Sequence, residues 1–395
     1  MLKILIATVL TLINYLVLSE AFRDRGFGEG IKWLLGLEER KKKTNTDLTV
    51  TVMIPAYNEA DFIQETITSL QKQTYPIDRI LVIDDSSTDG TGDIARASGA
   101  EVVRTSENRG TKAQAQDYGL LYVDTDLVIN VDADTTLEKD AIEKLVPAFQ
   151  DEEVAAVCGF VIPRKINSIW ERARFIQYLF GMSFFKQGQD LWNGILVASG
   201  CFSGFRTEVL KSFGGFPDRS MAEDMDVTWE ILKSGYKVQM VSNAYCYPIS
   251  PHDYPTYRAQ VERWNRGFLQ NMRAHGVSLL RNRRVAFFAG WNAANGLLFP
   301  AYIGSLSFLL IRFGMLALLG IGAGTILPIS YSLLKARRIG RTTRAAASFP
   351  AYILVLAVNS YLFFKAIWLE WIRKTSLDVW KKGHGMKSGE RVSDE

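Results

Sequence analysis

Between residues 48 and 131, short β-branched apolar runs alternate with segments of helical spacing, and that alternation leaves the chain few folds to choose from. Residues 48–54, 79–83, 102–103 and 126–131 read as strands, the first of them expected to break at Pro55. Residues 60–73, with Ile63, Ile67 and Leu70 on one face, and residues 91–98 and 111–122 read as helices. Repeated βα units of this length imply a parallel sheet with helices on both faces. Ligands of such sheets bind at the carboxyl ends of the strands. At one of those ends, Val128-Ile129-Asn130-Val131 runs straight into Asp132-Ala133-Asp134. Two hard oxygen ligands placed there suit Mg²⁺ or Mn²⁺ carrying a diphosphate, although an Asp-rich solvated turn has the same composition.

The flanks of this region are of a different kind. Residues 1–18 are nearly all apolar and lack a convincing small-residue cleavage site, which favours a transmembrane anchor over a signal peptide. Arg23, Arg25, Lys32 and the Arg40-Lys41-Lys42-Lys43 cluster follow, so the chain beyond is expected in the cytosol. Three more greasy blocks lie at 285–311, 313–334 and 349–372, with the basic run 335–344 between the last two. The third carries Asn359, Ser360, Lys365 and Glu370, and is the least secure span. Asn292 and Asn295 are costly against lipid and should face protein or a polar path. The expected division is an anchor at 1–22, a basic interfacial linker at 23–47 and a catalytic domain at 48–280 ending in amphipathic interface helices. A membrane region at 281–373 and a polar tail at 374–395 complete it. Three scattered cysteines make neither a disulfide framework nor a metal motif. A net charge of only +4 over 395 residues argues against a nucleic-acid partner.

Five further stations in the central region carry chemistry. Ala56-Tyr57-Asn58-Glu59 leaves the first strand with a ring that can stack on a base and a carboxylate that can take a ribose hydroxyl. Asp84-Asp85 ends the second strand, where carboxylates can read base N–H groups and sugar hydroxyls. Lys112 opens a helix, and a helix amino terminus plus a cation suits a diphosphate. Glu223-Asp224-Met225-Asp226 opens another helix, where acidic residues also simply satisfy the helix dipole. Gln260, Arg263 and Trp264 offer a phosphate fork and a sugar-stacking face, unless the tryptophan is plain core. His252 is read as a loop histidine without a chemical role.

In this order the motifs resemble the membrane-embedded inverting glycosyltransferases of family 2, relatives of cellulose, chitin and hyaluronan synthases. The resemblance rests on Asp84-Asp85, on Asp132 and Asp134 as DxD, on Glu223-Asp224 in the place of TED with Ala222 for its threonine, and on Gln260…Arg263-Trp264 as QxxRW. The loop 199–206, with Gly200 and Cys201, is similar to the family's acceptor-facing segment. The resemblance spans about residues 48–270 and implies a GT-A (Rossmann-like) α/β catalytic domain in the cytosol, with amino- and carboxy-terminal transmembrane helices. It implies that Ala56, Tyr57, Glu59, Asp84, Asp85, Lys112, Asp132 and Ala133 bind the nucleotide-sugar donor, Asp84 touching uracil and Lys112 the diphosphate. Asp134 is then the metal ligand and Asp224 the general base. Gly200, Cys201, Glu223, Gln260, Arg263 and Trp264 would hold acceptor and diphosphate. No tail segment matches the family's gating loop beyond the suggestive Trp380-Lys381-Lys382-Gly383.

The expected reaction is metal-dependent transfer of a sugar from a UDP-sugar, UDP-N-acetylglucosamine or a related UDP-hexose, to a growing polysaccharide with inversion. Such an enzyme is integral to the cytoplasmic membrane, in contact with its lipid. Two rivals stand beside it: a non-processive transferase to a lipid-linked acceptor, and a membrane transport or signalling protein whose nucleotide-binding domain is regulatory.

Overall fold

A computed structural model describes residues 47–294, 296–297, 329–330 and 332–375. The anchor expected at 1–22, the linker up to residue 46, Asn295, most of the second apolar block and the tail beyond residue 375 lie outside the described residues.

Strands β1 (Val50–Ala56), β2 (Arg79–Asp84), β3 (Glu101–Arg104) and β4 (Leu127–Val131) run parallel, with β1 between β2 and β4. They are joined by α1 (Ile63–Gln71), α2 (Thr91–Ala97) and α3 (Lys112–Leu120). β4 is buried along its whole length, Asn130 included, as its mostly apolar composition requires of a strand covered on both faces. β3, at the sheet edge, exposes Glu101 and Arg104 at its two ends, charges that discourage edge pairing.

Pro55 does not end β1. The strand continues to Ala56, with Pro55 opposite Ile83 of β2. Even-numbered positions of β1 bond to the β2 side, as the Asp85 N–H to Ala56 carbonyl contact shows. Odd-numbered ones face β4, as Leu127 N–H to Thr49 carbonyl shows. The paired register with β4 stops at Met53, so the N–H that proline lacks falls at the very end of that strand, where little of the ladder is lost.

The sheet is mixed, not purely parallel. Its eight strands follow the order β3-β2-β1-β4-β7-β6-β8-β5. The newcomers are β5 (Thr136–Leu137), β6 (Val154–Val161), β7 (Phe202–Arg206) and β8 (Lys237–Tyr247). β7 is antiparallel to both β4 and β6, and β8 is parallel to β6. A strand buried on both faces has the same composition whichever way it runs. Its direction is set by where the connection delivers the chain, and periodicity does not record that.

Three long helices close over the carboxyl-end side. α4 (Ile169–Phe180) starts in a capping box: Ser168 Oγ accepts from the Glu171 N–H at 3.2 Å, and Glu171 accepts from the Ser168 N–H at 3.0 Å. It runs on through a π-turn, Gly181–Lys186. α5 (Glu223–Lys233) has Glu223, Asp224 and Asp226 in its first turn and is anchored by buried Trp229, whose Nε1–H donates to the Leu196 carbonyl at 2.9 Å. α6 (Tyr254–His275) is capped by Asp253, which accepts from the Thr256 N–H at 2.9 Å. Gly267 lets α6 approach α5 closely, since a Cβ there would lie 2.7 Å from Ala222 Cβ and 2.9 Å from its nitrogen.

Beyond α6, residues 283–294 are helical, and Val285, Phe288 and Ala289 pack into the core beneath the sheet's helices. Among the described residues one helix, Thr342–Ile372, is long and apolar enough to cross a membrane. Its α-helical part is α7 (Thr342–Ile367). Three of the four polar residues that made this block insecure turn onto α6, while the Ser360 hydroxyl is buried without a hydrogen-bond partner among the described residues. Asn359 accepts from the Tyr257 hydroxyl at 2.8 Å, Lys365 pairs with Glu262 at 2.6 Å, and buried Glu370 pairs with Arg266 at 2.6 Å.

Candidate active site

A cavity of about 610 Å³ opens at the carboxyl ends of β1, β2 and β4, under α5 and α6. Every residue that the sequence marked for the site lines it, except Asp84.

On the β1–β2 side, Ala56, Tyr57, Glu59 and Asp85 form the wall. Two loops exchange hydrogen bonds here. The Asn58 N–H donates to Ser87 Oγ at 3.0 Å, and Asn58 Oδ1 accepts from the Thr88 N–H at 2.8 Å. Asn58 (φ 54°) and Ser86 (φ 60°) both adopt left-handed backbone, strain that the surrounding bonds hold in place. Asp84 must be reassigned from nucleobase contact to scaffold. Its side chain is fully buried and already accepts from Arg104 at 2.5 Å and from the Ser87 N–H at 2.9 Å. The next carboxylate, Asp85, stands on the wall. It accepts from the Arg109 N–H at 3.0 Å and from Thr105 Oγ1 at 2.9 Å, so it ties this wall to the loop leading into α3. Burial raises the Asp85 pKa, against the pull of those two donors.

At the start of α3, Thr111 caps the helix by accepting from the Gln114 N–H at 3.3 Å. Lys112 then points into the cavity. Its Nζ donates to Asp132 Oδ1 at 2.5 Å and to the Gly200 carbonyl at 3.3 Å, and lies 3.5 Å from Glu223. Burial works against the ammonium, yet the carboxylates of Asp132 and Glu223 overturn that and hold its pKa above the ordinary lysine value. Glu223 itself is pushed up by burial.

Asp224 faces Lys112 across the cavity with its orientation fixed. Oδ2 accepts from the Gly200 N–H at 2.9 Å and Oδ1 from the Met225 N–H at 2.8 Å. Arg263 leans over the same end, donating to the Met221 carbonyl at 3.3 Å, with Gln260 and Trp264 beside it on the wall. His252 is exposed, pairs with Asp253 at 3.3 Å and stays off the wall.

Six acids (Glu59, Asp85, Asp132, Asp134, Glu223, Asp224) and two bases (Lys112, Arg263) line the cavity. That excess of negative charge suits a divalent cation, and Asp134, nearly buried on the wall, supplies the hard oxygen such an ion prefers. A second cluster, Asp226, Glu230 and His275, does not fit a metal. The Arg219 guanidinium donates to both carboxylates and His275 Nε2 bonds Asp226 at 2.9 Å, so the arginine cation already occupies it.

Sequence reasoning missed the apolar part of the wall: Val161, Tyr178, Met182, Val197, Met225 and Phe268. Tyr178 and Met182 stand four residues apart on α4 and its continuation, a spacing indistinguishable from ordinary core packing. Asn292, read as facing protein or a polar path, also lies on the cavity wall.

The profile of the family Glycosyl transferase family 2 matches residues 51–214. Poly-beta-1,6-N-acetyl-D-glucosamine synthase of Staphylococcus aureus (strain MSSA476) is 27% identical over 244 residues, covering 60% of this chain and 59% of its own length. The chain therefore spans under two thirds of that relative. Hyaluronan synthase of Streptococcus pyogenes serotype M3 (strain ATCC BAA-595 / MGAS315) is 30% identical over 293 residues, 69% of either chain. Among solved structures, mannosyltransferase PcManGT from Pyrobaculum calidifontis, in complex with GDP-Man and Mn²⁺, superposes with a TM-score of 0.53 at 22% identity, covering 89% of this chain and 98% of that one. That likeness concerns the fold.

Proposed function

This chain belongs to glycosyl transferase family 2 and has its GT-A α/β fold, and from that premise we propose that it transfers a sugar from a UDP-sugar to a growing polysaccharide, with inversion. The donor we assign is UDP-N-acetylglucosamine or a related UDP-hexose, in keeping with the polymers named for its relatives. The observation that carries the reading is one cavity in which the Lys112 cation, the Asp132–Asp134 pair and the backbone-held Asp224 carboxylate converge.

In this reading Tyr57, Glu59 and Asp85 hold the nucleoside at the ends of β1 and β2. Lys112 and Arg263 stabilise the charge that grows on the departing diphosphate. Asp134 would hold Mn²⁺ or Mg²⁺, which when bound neutralises part of that charge. Asp224 takes the proton of the acceptor hydroxyl as that oxygen attacks the anomeric carbon. The C1–O bond to UDP breaks as the new C1–O bond forms. One displacement inverts the centre, and no enzyme nucleophile is required. Gly200, Cys201, Glu223, Gln260 and Trp264 form the acceptor side.

The division proposed for the chain keeps the anchor at 1–22, the catalytic domain at 48–280 on the cytosolic face and a membrane region at 281–373. The Thr342–Ile372 helix supports the last of these.

The test is turnover of the full chain in detergent with a panel of UDP-sugars and Mn²⁺, reading UDP release and product size. Release with one UDP-hexose, together with long products and arrest by a chelator, is the expected result. Products carrying a single added sugar on a lipid would favour the non-processive rival. Nucleotide binding without any sugar turnover would sink the assignment in favour of a regulatory domain.

A further inference from the structure

Arg174 is a fully buried cation that the reaction described above leaves unused. It lies on α4, its side chain fully buried, and among the described residues no carboxylate pairs with it. Its guanidinium is sandwiched between Trp264, 4.5 Å from the ring centroid, and Tyr257, 4.6 Å from that centroid. One end donates to Gln177 Oε1 at 2.7 Å and the other to Gln260 Oε1 at 2.8 Å, while Nε has no partner. A buried cation without a counter-charge is costly and calls for an explanation beyond packing.

The hydrogen-bond chemistry supplies one. A guanidinium only donates, so the oxygen of the Gln260 amide must be the atom that faces it. The amide NH₂ then points the other way. Gln260 lines the cavity, and its NH₂ makes no hydrogen bond among the described residues. We propose that Arg174 is a positioning residue for acceptor selection: it locks Gln260 as a pure hydrogen-bond donor toward the acceptor and fixes the ring plane of Trp264 beside it. The group recognised is a hydrogen-bond-accepting oxygen of the acceptor saccharide, such as an acetamido carbonyl, a carboxylate, a ring oxygen or a hydroxyl oxygen. The inference rests on the proposed acceptor role of this wall.

The test is a cycle of Arg174→Met, Gln260→Glu and the double variant, each in the full chain. Gln260→Glu hands Arg174 a carboxylate partner and replaces the cavity donor by an acceptor. Its melting temperature should rise in the Arg174 background and fall in the Arg174→Met background, where the carboxylate is buried alone. Its acceptor KM should rise about tenfold, the usual cost of one unmet polar contact to a bound ligand, with the donor KM unmoved. Arg174→Met should raise the acceptor KM in the same direction. A Gln260→Glu effect on melting that ignores residue 174 overturns the amide orientation, whatever the acceptor does. The expected melting cycle with an unchanged acceptor KM overturns the selection role. A wild-type chain without sugar turnover removes the functional premise and the selection role with it, while the melting cycle still decides the orientation.

Discussion

The backbone N–H of Gly200 donates to Asp224 Oδ2 at 2.9 Å, so the loop before β7 aims the carboxylate assigned as base. Asp224→Asn keeps an oxygen for that bond but loses the ability to take a proton. Transfer should fall by about a hundred- to ten-thousandfold while UDP still binds. Parallel turnover and UDP-binding assays check this; wild-type turnover in the variant would remove Asp224 from the base role.

Lys112 is held charged by Asp132 and Glu223. Lys112→Met should weaken UDP-sugar binding about ten- to a hundredfold, the range for losing a charge-assisted bond to a diphosphate. Lys112→Arg should recover part of it. Binding of free uridine should barely move in either variant, because the loss belongs to the phosphates.

Asp117, away from the cavity, reports on stability. Burial lifts its carboxyl to about 6, against the Phe216 N–H bonded at 2.6 Å and with some help from Asp218. The folded chain therefore keeps this proton where the unfolded chain, near 3.9, has lost it. This group's contribution to stability is intact below about pH 4 and is lost as pH rises toward 6. Asp117→Asn keeps the acceptor for Phe216 and removes the charge. Its melting temperature should exceed wild type near pH 8 and match it near pH 4. An equal offset at both pH values would assign the effect to packing.

Gly267→Ala places a methyl against the Ala222 backbone, which has little room to yield at the start of α5. A loss of about 1–3 kcal/mol is expected in denaturant unfolding, the usual cost of overpacking. Turnover should fall more than stability does, because the displaced residues carry Asp224. Unaltered unfolding would mean that α6 retreats without strain.

The donor half was readable because its signals are local. β1, β2 and β4 each run into residues that face the cavity, and strand ends can be found from an apolar run and its stop. Adjacent residues are harder. Sequence does not say which carboxylate of Asp84-Asp85 turns inward, since that was decided by Arg104 on a neighbouring strand. Pro55 misled because its effect depends on which neighbour its missing N–H would have faced. Tyr178, Met182 and Arg174 left no signal at all. Their roles come from the meeting of α4 with α6, residues far apart in the chain whose contact no spacing encodes.

The antiparallel β7 marks a seam. Apart from Arg263, the wall assigned to the donor comes from residues 56–134, whereas the wall assigned to the acceptor comes from 178–268. Across the seam β4 pairs with β7 from Leu127 to Val131, and side-chain links run from Lys112 to Gly200 and Glu223, from Thr111 and Gln114 to Asp218, and from Asp117 to the Phe216 N–H. The two assigned walls are thus built from separate stretches of chain yet held in one sheet. A hybrid chain joined near the turn after β5 would therefore have to preserve the β4–β7 and β5–β8 pairings to change what is extended while keeping what is spent.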